Sequence, residues 1–231
     1  MTPKHLSLGL ALLAALLLAA KLEAQDMKLE ATPQDKEAFY TEILERRVTD
    51  ILTPLDIKDA ARASRVHDLL TLHYRSLRMR DEVIRARLEA EQKAGTVTDT
   101  RAGLLRQLSK PLHEWFVGVL ALDLSPEQLE KVKDKMTYNK VQVTFNAYCD
   151  IVPKLTDPDK AKVLELLKAA REEAMDGGSA GEKSEIFQKY KDQINAYLDA
   201  NGHNVAQAYK DWDAKHPTAH ETSASAQPAG N

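Results

Sequence analysis

The residues best suited to holding a ligand sit in two short stretches of the chain. Met136-Thr137-Tyr138-Asn139-Lys140 brings a hydroxyl, an aromatic ring and an amide together within a few positions. That mixture stacks on and hydrogen-bonds a sugar or a peptide. Farther on, Lys189, Lys191 and Asn195 follow one another closely. Asn195 lies on the flank of an apolar stripe (186, 190, 194, 197), where an amide needs a partner if it is buried. Tyr138, Asn139, Lys189, Lys191 and Asn195 are therefore the candidate ligand-binding residues. The competing reading makes 136–140 an ordinary connector fixed by packing of Tyr138.

Other chemistries find less support. His67 and His73 are six apart and do not share a helix face, so they read as exposed or satisfied core histidines rather than metal ligands. His216 and His220 are four apart but stand beside Pro217 in a polar tail. The sequence lacks Gly-x-Ser-x-Gly, a Gly-rich phosphate loop and His-Glu-x-x-His. Glu172 and Glu173 are adjacent, hence on different helix faces, and make no ready acid/base couple. No catalytic residue, metal site or cofactor is assigned. Arg75, Arg78, Arg80, Arg85 and Arg87 form two basic stripes, with Asp81 and Glu82 placed to pair Arg85 and Arg78. They read as a solvated, self-paired face, with an anion- or client-binding face as the alternative.

The elements that position these residues read as helices. Thr32-Pro33 caps a first helix ending before Pro54. Residues 57–93 form one long helix, which Ala94-Gly95 stops. Thr98-Asp99 starts the next, and Pro111 predicts a kink or break near Ser109. Leu124-Ser125-Pro126-Glu127-Gln128-Leu129 is a capping box with a hydrophobic staple, and Thr156-Asp157-Pro158-Asp159 repeats the idea. Gly177-Gly178 ends a helix, Ser179-x-x-Glu182 caps another, and Asn201-Gly202 stops it. Asn204 opens a last short helix. Val141–Phe145 alternates like a strand, but Val141, Phe145, Tyr148 and Val152 share a helical face, and a lone strand would leave its backbone unpaired. The stretch reads as helix. Trp115 reads as core, Trp212 as more open, and Cys149 as a small buried hydrophobe.

Length and composition fit this picture. The 231 residues are 43% hydrophobic and 29% charged, enough apolar material for a core. One cysteine excludes a disulfide-stapled miniprotein, and a formal charge of −3 gives no field that would attract nucleic acid. Lys4 and His5 followed by the apolar run Leu6–Ala20 read as a secretory signal, cleaved after Ala24. The run is short for a bilayer span, so no stable membrane span is expected after processing. Residues 25–32 form a linker, 33–215 a single helical domain, and 216–231 a disordered tail.

Residues 124–198 resemble a family of uncharacterised exported bacterial proteins that carries a domain-of-unknown-function label and is described as sugar-binding. Lys133-Asp134-Lys135-Met136-Thr137-Tyr138, Ala170 to Gly177, and Lys189-Tyr190-Lys191 with Ile194-Asn195 carry the resemblance. It is vaguer over residues 35–123 and brings no catalytic residues with it. Leu124-Ser125-Pro126-Glu127-Gln128 is also similar to the Leu-Thr-x-x-Gln motif of periplasmic helical chaperones. The second copy, Leu155–Asp159, has Asp where that motif has Gln.

The sequence thus predicts an all-α bundle of six to eight helices with a long second helix, exported to the periplasm or beyond. The resemblance implies a non-enzymatic protein that binds carbohydrate or another envelope component. Two alternatives stand beside it: a chaperone holding unfolded clients, and an envelope glycan hydrolase, which would need two carboxylates converging on one pocket.

Overall fold

A computed structural model describes residues 32–98 and 100–216. The expected leader over 1–24, most of the linker and the tail beyond His216 lie outside the described residues. The chain divides into two units, Met1–Leu44 and Glu45–Asn231. Among the described residues every regular element is helical. The α-helices are α1 (Pro33–Leu52), α2 (Ala60–Ala94), α3 (Arg101–Asp123), α4 (Pro126–Met136), α5 (Lys140–Ile151), α6 (Asp157–Met175), α7 (Ala180–Ala200) and α8 (Val205–Lys215), with a 3-10 turn at Thr53–Leu55. The all-α bundle with a long second helix is the observed architecture.

Local chemistry explains most boundaries. The Thr32 hydroxyl accepts from the Asp35 amide, and the Asp35 carboxylate accepts from the Thr32 amide at 2.9 Å. The Ser125 hydroxyl accepts from the Gln128 amide at 3.2 Å, while the Gln128 side-chain oxygen accepts from the Ser125 amide at 3.1 Å. Both bonds of the box at Thr156 and Asp159 also form. Asp159 is additionally held by His203 at 3.0 Å, and its carboxyl falls to about 2, first because of Thr156 and then because of His203. Gly95 takes φ +68° as it closes α2, a conformation that costs glycine nothing. The strand-like stretch 141–145 lies inside α5.

Three expectations need correction. The long helix starts at Ala60, capped by Asp59, rather than at Ile57. α3 is capped by Thr100, whose hydroxyl accepts from the Gly103 amide at 3.0 Å, rather than by Thr98-Asp99. Nor does Pro111 break α3, which runs unbroken across it. Pro111 and Gln107 are both exposed, so the turn that loses its donor lies at the surface, and buried Phe116 and Leu120 hold the helix to its neighbours.

α2 and α3 form an antiparallel pair with a readable register. Arg65 meets Asp123, His73 stacks on Phe116 at 3.7 Å, and Arg80 donates to Ser109 at 2.9 Å. His73 departs from expectation, being fully buried with neither ring nitrogen hydrogen-bonded. Burial therefore lowers its pKa to about 3 and keeps the ring neutral. The densest packing joins α6 to α7, where Val163, Leu167, Ala170, Ala174, Phe187, Ile194 and Leu198 belong to one buried cluster. Cys149 is half-buried at the edge of that cluster.

Candidate functional site

A cavity of about 690 Å³ opens among α2, α3, α6 and α7. That size falls within the ~300–1,000 Å³ of small-molecule sites. Its apolar wall is Ala102, Leu105 and Ile186. Its polar wall, among the described residues, carries three cations (Arg80, Arg101, Lys189), four carboxylates (Glu173, Asp176, Glu182, Glu185) and the Ser109 hydroxyl.

The turn between α6 and α7 builds the floor. Ser179 caps α7 by accepting from the Glu182 amide at 3.1 Å. The Glu182 carboxylate reaches back one residue further, to the Gly178 amide at 2.7 Å, and also pairs with Arg101. Asp81 of α2 lies against Gly178, so a side chain at this position would have to displace the Asp81 carboxylate. A Cβ there would stand 2.1 Å from an Asp81 carboxylate oxygen. Beneath the turn, buried Lys183 donates to the carbonyls of Ala174 and Met175 at 2.8 and 3.2 Å. It thereby satisfies the C-terminal carbonyls of α6 with a cation at the negative end of the helix. Its ammonium is lowered to about 8, chiefly by burial and then by Arg47.

Each cationic wall group is fixed by a carboxylate. Arg80, which lies in the buried phase of α2, donates through Nε and Nη2 to Asp81 at 3.1 and 2.8 Å, besides its bond to Ser109. Asp81 is thus engaged away from Arg85, where the helical spacing had placed it, and Arg80 leaves the solvated stripe. The Arg78–Glu82 pair forms as expected, at 3.3 Å. Lys189 donates to both carboxylate oxygens of Glu173, at 3.0 and 2.9 Å, and Tyr190 donates to one of them at 3.1 Å.

An ionic network stands behind Asp176. His113 of α3 lies 3.3 Å from Asp176 and 3.5 Å from Glu172. Asp176 first, and Glu172 second, raise its pKa to about 9, so it is protonated at neutral pH. Glu172 also takes Lys133 at 2.9 Å and Arg171 at 3.2 Å. Burial pushes the Glu172 carboxyl up, but His113 and Lys133 outweigh it and leave the group at about 2. Buried Arg171 continues to Asp134 at 2.6 Å and Glu130 at 2.7 Å. Glu172 and Glu173 do point to different partners, as adjacency on a helix requires.

Of the five candidate residues, Lys189 lines this cavity. Tyr138 and Asn139 form the turn between α4 and α5, both at positive φ (58° and 55°), and the Tyr138 ring is 46% exposed. Asn195 accepts from the buried Tyr148 hydroxyl at 2.7 Å, the partner its position demanded, and the Lys191 carbonyl accepts from the same hydroxyl at 3.3 Å. The connector and α7 do adjoin at Lys140, which donates to Ser184 at 3.1 Å. Its ammonium is lowered by burial and then by Lys191. Trp115, expected in the core, is 44% exposed, and Trp212 stacks on His216 at 4.3 Å.

Arg80, Arg101, Asp176 and Glu182 were not singled out as site residues. Two signals pointed to them: an arginine in phase with Val66, Leu70, His73, Leu77 and Ile84, and a Gly-Gly pair directly before a capping serine. Among the described residues no three His, Cys, Asp or Glu side chains group as metal ligands, and no helix is long and apolar enough to cross a membrane.

No curated protein matches the chain. Residues 41–217 match the family described as "Protein of unknown function (DUF3826)", and since that match spans well over half of the sequence, the chain belongs to this family.

Proposed function

We propose that the protein is a non-enzymatic binding protein whose cavity takes a neutral, polyhydroxylated ligand of the carbohydrate class. The carrying observation is that Arg80, Arg101 and Lys189 each face the cavity already joined to a carboxylate. Such pairs present fixed donors and acceptors with little net charge. They suit hydroxyl groups better than a phosphate, which needs surplus cations, and Glu185 adds a further acceptor. Leu105 and Ile186 offer an apolar strip for the ring face of a sugar.

A hydrolase reading has carboxylates on one cavity in its favour. Glycoside cleavage, however, needs an acid whose pKa is raised. For Glu182 burial acts upward, but the bonds from Arg101 and the Gly178 amide prevail and hold it below the usual range. Binding without turnover is the better account.

Thermal shift and calorimetry of the purified chain across a panel of neutral mono- and oligosaccharides test the proposal. A ligand at about 100 times its Kd adds ~2.7 kcal/mol, roughly 5–10 °C in Tm for a chain of this size. Arg101→Ala and Glu173→Ala are expected to abolish that shift while the unliganded protein stays folded. Silence across the panel, or shifts that survive both substitutions, refutes the carbohydrate assignment.

A further inference from the structure

The outer side of the α2–α3 pair carries large apolar residues that the bundle does not cover. On α2 these are Leu72 (50% exposed), Met79 (66%) and Val83 (55%), and on α3 Leu108, Trp115 and Leu122 (82%). At about 100° per residue, each trio falls on one line along its helix. On α2, His73 and Arg80, which meet α3, lie between this line and the buried line of Leu70, Tyr74 and Leu77, while Arg65 stands at the end of the exposed line and reaches Asp123. On α3 the side chains that meet α2 (Ser109, Phe116, Asp123) lie between the exposed line and His113, which reaches α6. Because the helices run antiparallel, both exposed lines emerge on the same side of the pair. They form one apolar face directed away from the α6–α7 core.

We infer that this face is the interface of a homodimer, in which the α2–α3 pairs of two copies pack as a four-helix layer. Size is the first argument. The six side chains expose on the order of 600 Å², the upper end of what a monomer shows, and most of the ~800 Å² per partner that a standard interface buries. The rim is the second. Arg78–Glu82, Arg87–Glu91, Lys110–Glu114 and Arg65–Asp123 are all closed ion pairs, so the border is charge-balanced. A balanced border has no field to draw an anionic lipid surface or a strongly charged peptide, whereas a second copy meets it with the same balance. A two-fold contact of this kind buries the face once and closes, with no further growth.

Sedimentation equilibrium of the full chain against Met79→Glu/Leu122→Glu tests the inference. Both positions are exposed, so circular dichroism of the variant should match the parent. The parent is expected at twice the mass of the purified chain, and the variant as monomer, its dimer dissociation constant raised at least tenfold. A Trp212→Phe protein gives an independent reading, since Trp115 emission should move to the red on dilution as the dimer parts. A parent that stays monomeric at ~100 µM overturns the inference, because a dimer weaker than that is no stable interface. So does a dimer indifferent to the two glutamates, or a monomer that instead coats lipid vesicles or holds an unfolded client through this face.

Discussion

Halfway along α7 the environment changes. Glu182, Glu185 and Lys189 look into the polar cavity, with Lys183 buried beneath them, whereas Ile194 and Leu198 are sealed in the apolar core. Part-buried polarity in the second half includes two isolated bonds, Tyr148 to Asn195 and the Val205 amide to Asp199. In the first half Lys183 is buried on the α6 carbonyls, and above it the run from Arg101 through Glu182 to the Gly178 amide stays open to solvent. Fixed polar groups with partners can face a solvent-filled hollow without collapse, while the dry half supplies the free energy that keeps them in place. One helix therefore serves as scaffold at its C-terminal end and as site wall at its N-terminal end.

The contrast can be broken most severely from the dry side. Ile194→Ala empties a fully buried position of the α6–α7 cluster and should cost ~2–5 kcal/mol, read by urea denaturation, with a salt-independent loss. A loss below 1 kcal/mol would mean the cluster is not the stability centre.

Gly178→Ala strikes the polar side. The new methyl meets the Asp81 carboxylate, which has to turn away from Arg80 to admit it, so about 1–2 kcal/mol of strain is expected. Asp81→Ala should relieve much of it in the double variant. Full additivity of the two changes in a double-mutant cycle would show that the close approach is not the cause.

The smallest expected effect is a pH dependence. The folded pKa of His113, about 9, stands above its free value of 6.5. Its stabilising contribution is fully present below pH 6.5 and disappears as pH rises through about 9. On the order of 1–2 kcal/mol should vanish over that window, and His113→Gln should flatten it. An unchanged alkaline slope in that variant would assign the titration to another group, with Lys183 acting in the opposite sense.

The capping chemistry was legible because it is local. Ser125 with Gln128, Thr156 with Asp159, Ser179 and Asn204 carry the bonds their spacing announces. Asn195 was legible in part: the need for a partner followed from its place beside an apolar stripe, but not that the partner is Tyr148. Of the kink or break expected at Pro111, the break does not occur, because the packing of Phe116 and Leu120 carries the helix past the missing donor. Trp115 was misread because an apolar position in a helical stripe does not say which of two flanks the bundle covers. His73 shows the same limit, since periodicity placed it without revealing that its ring would lack a partner.

Helix starts, helix stops and the all-α class were thus written in the order of residues, since hydrogen bonds between positions three and four apart are decided within the chain itself. The pairing of Arg101 with Glu182 and of His113 with Asp176 joins positions 81 and 63 residues apart. Only the packing of α2 and α3 against the α6–α7 turn could bring those groups within bonding distance, and with them the cavity came into being.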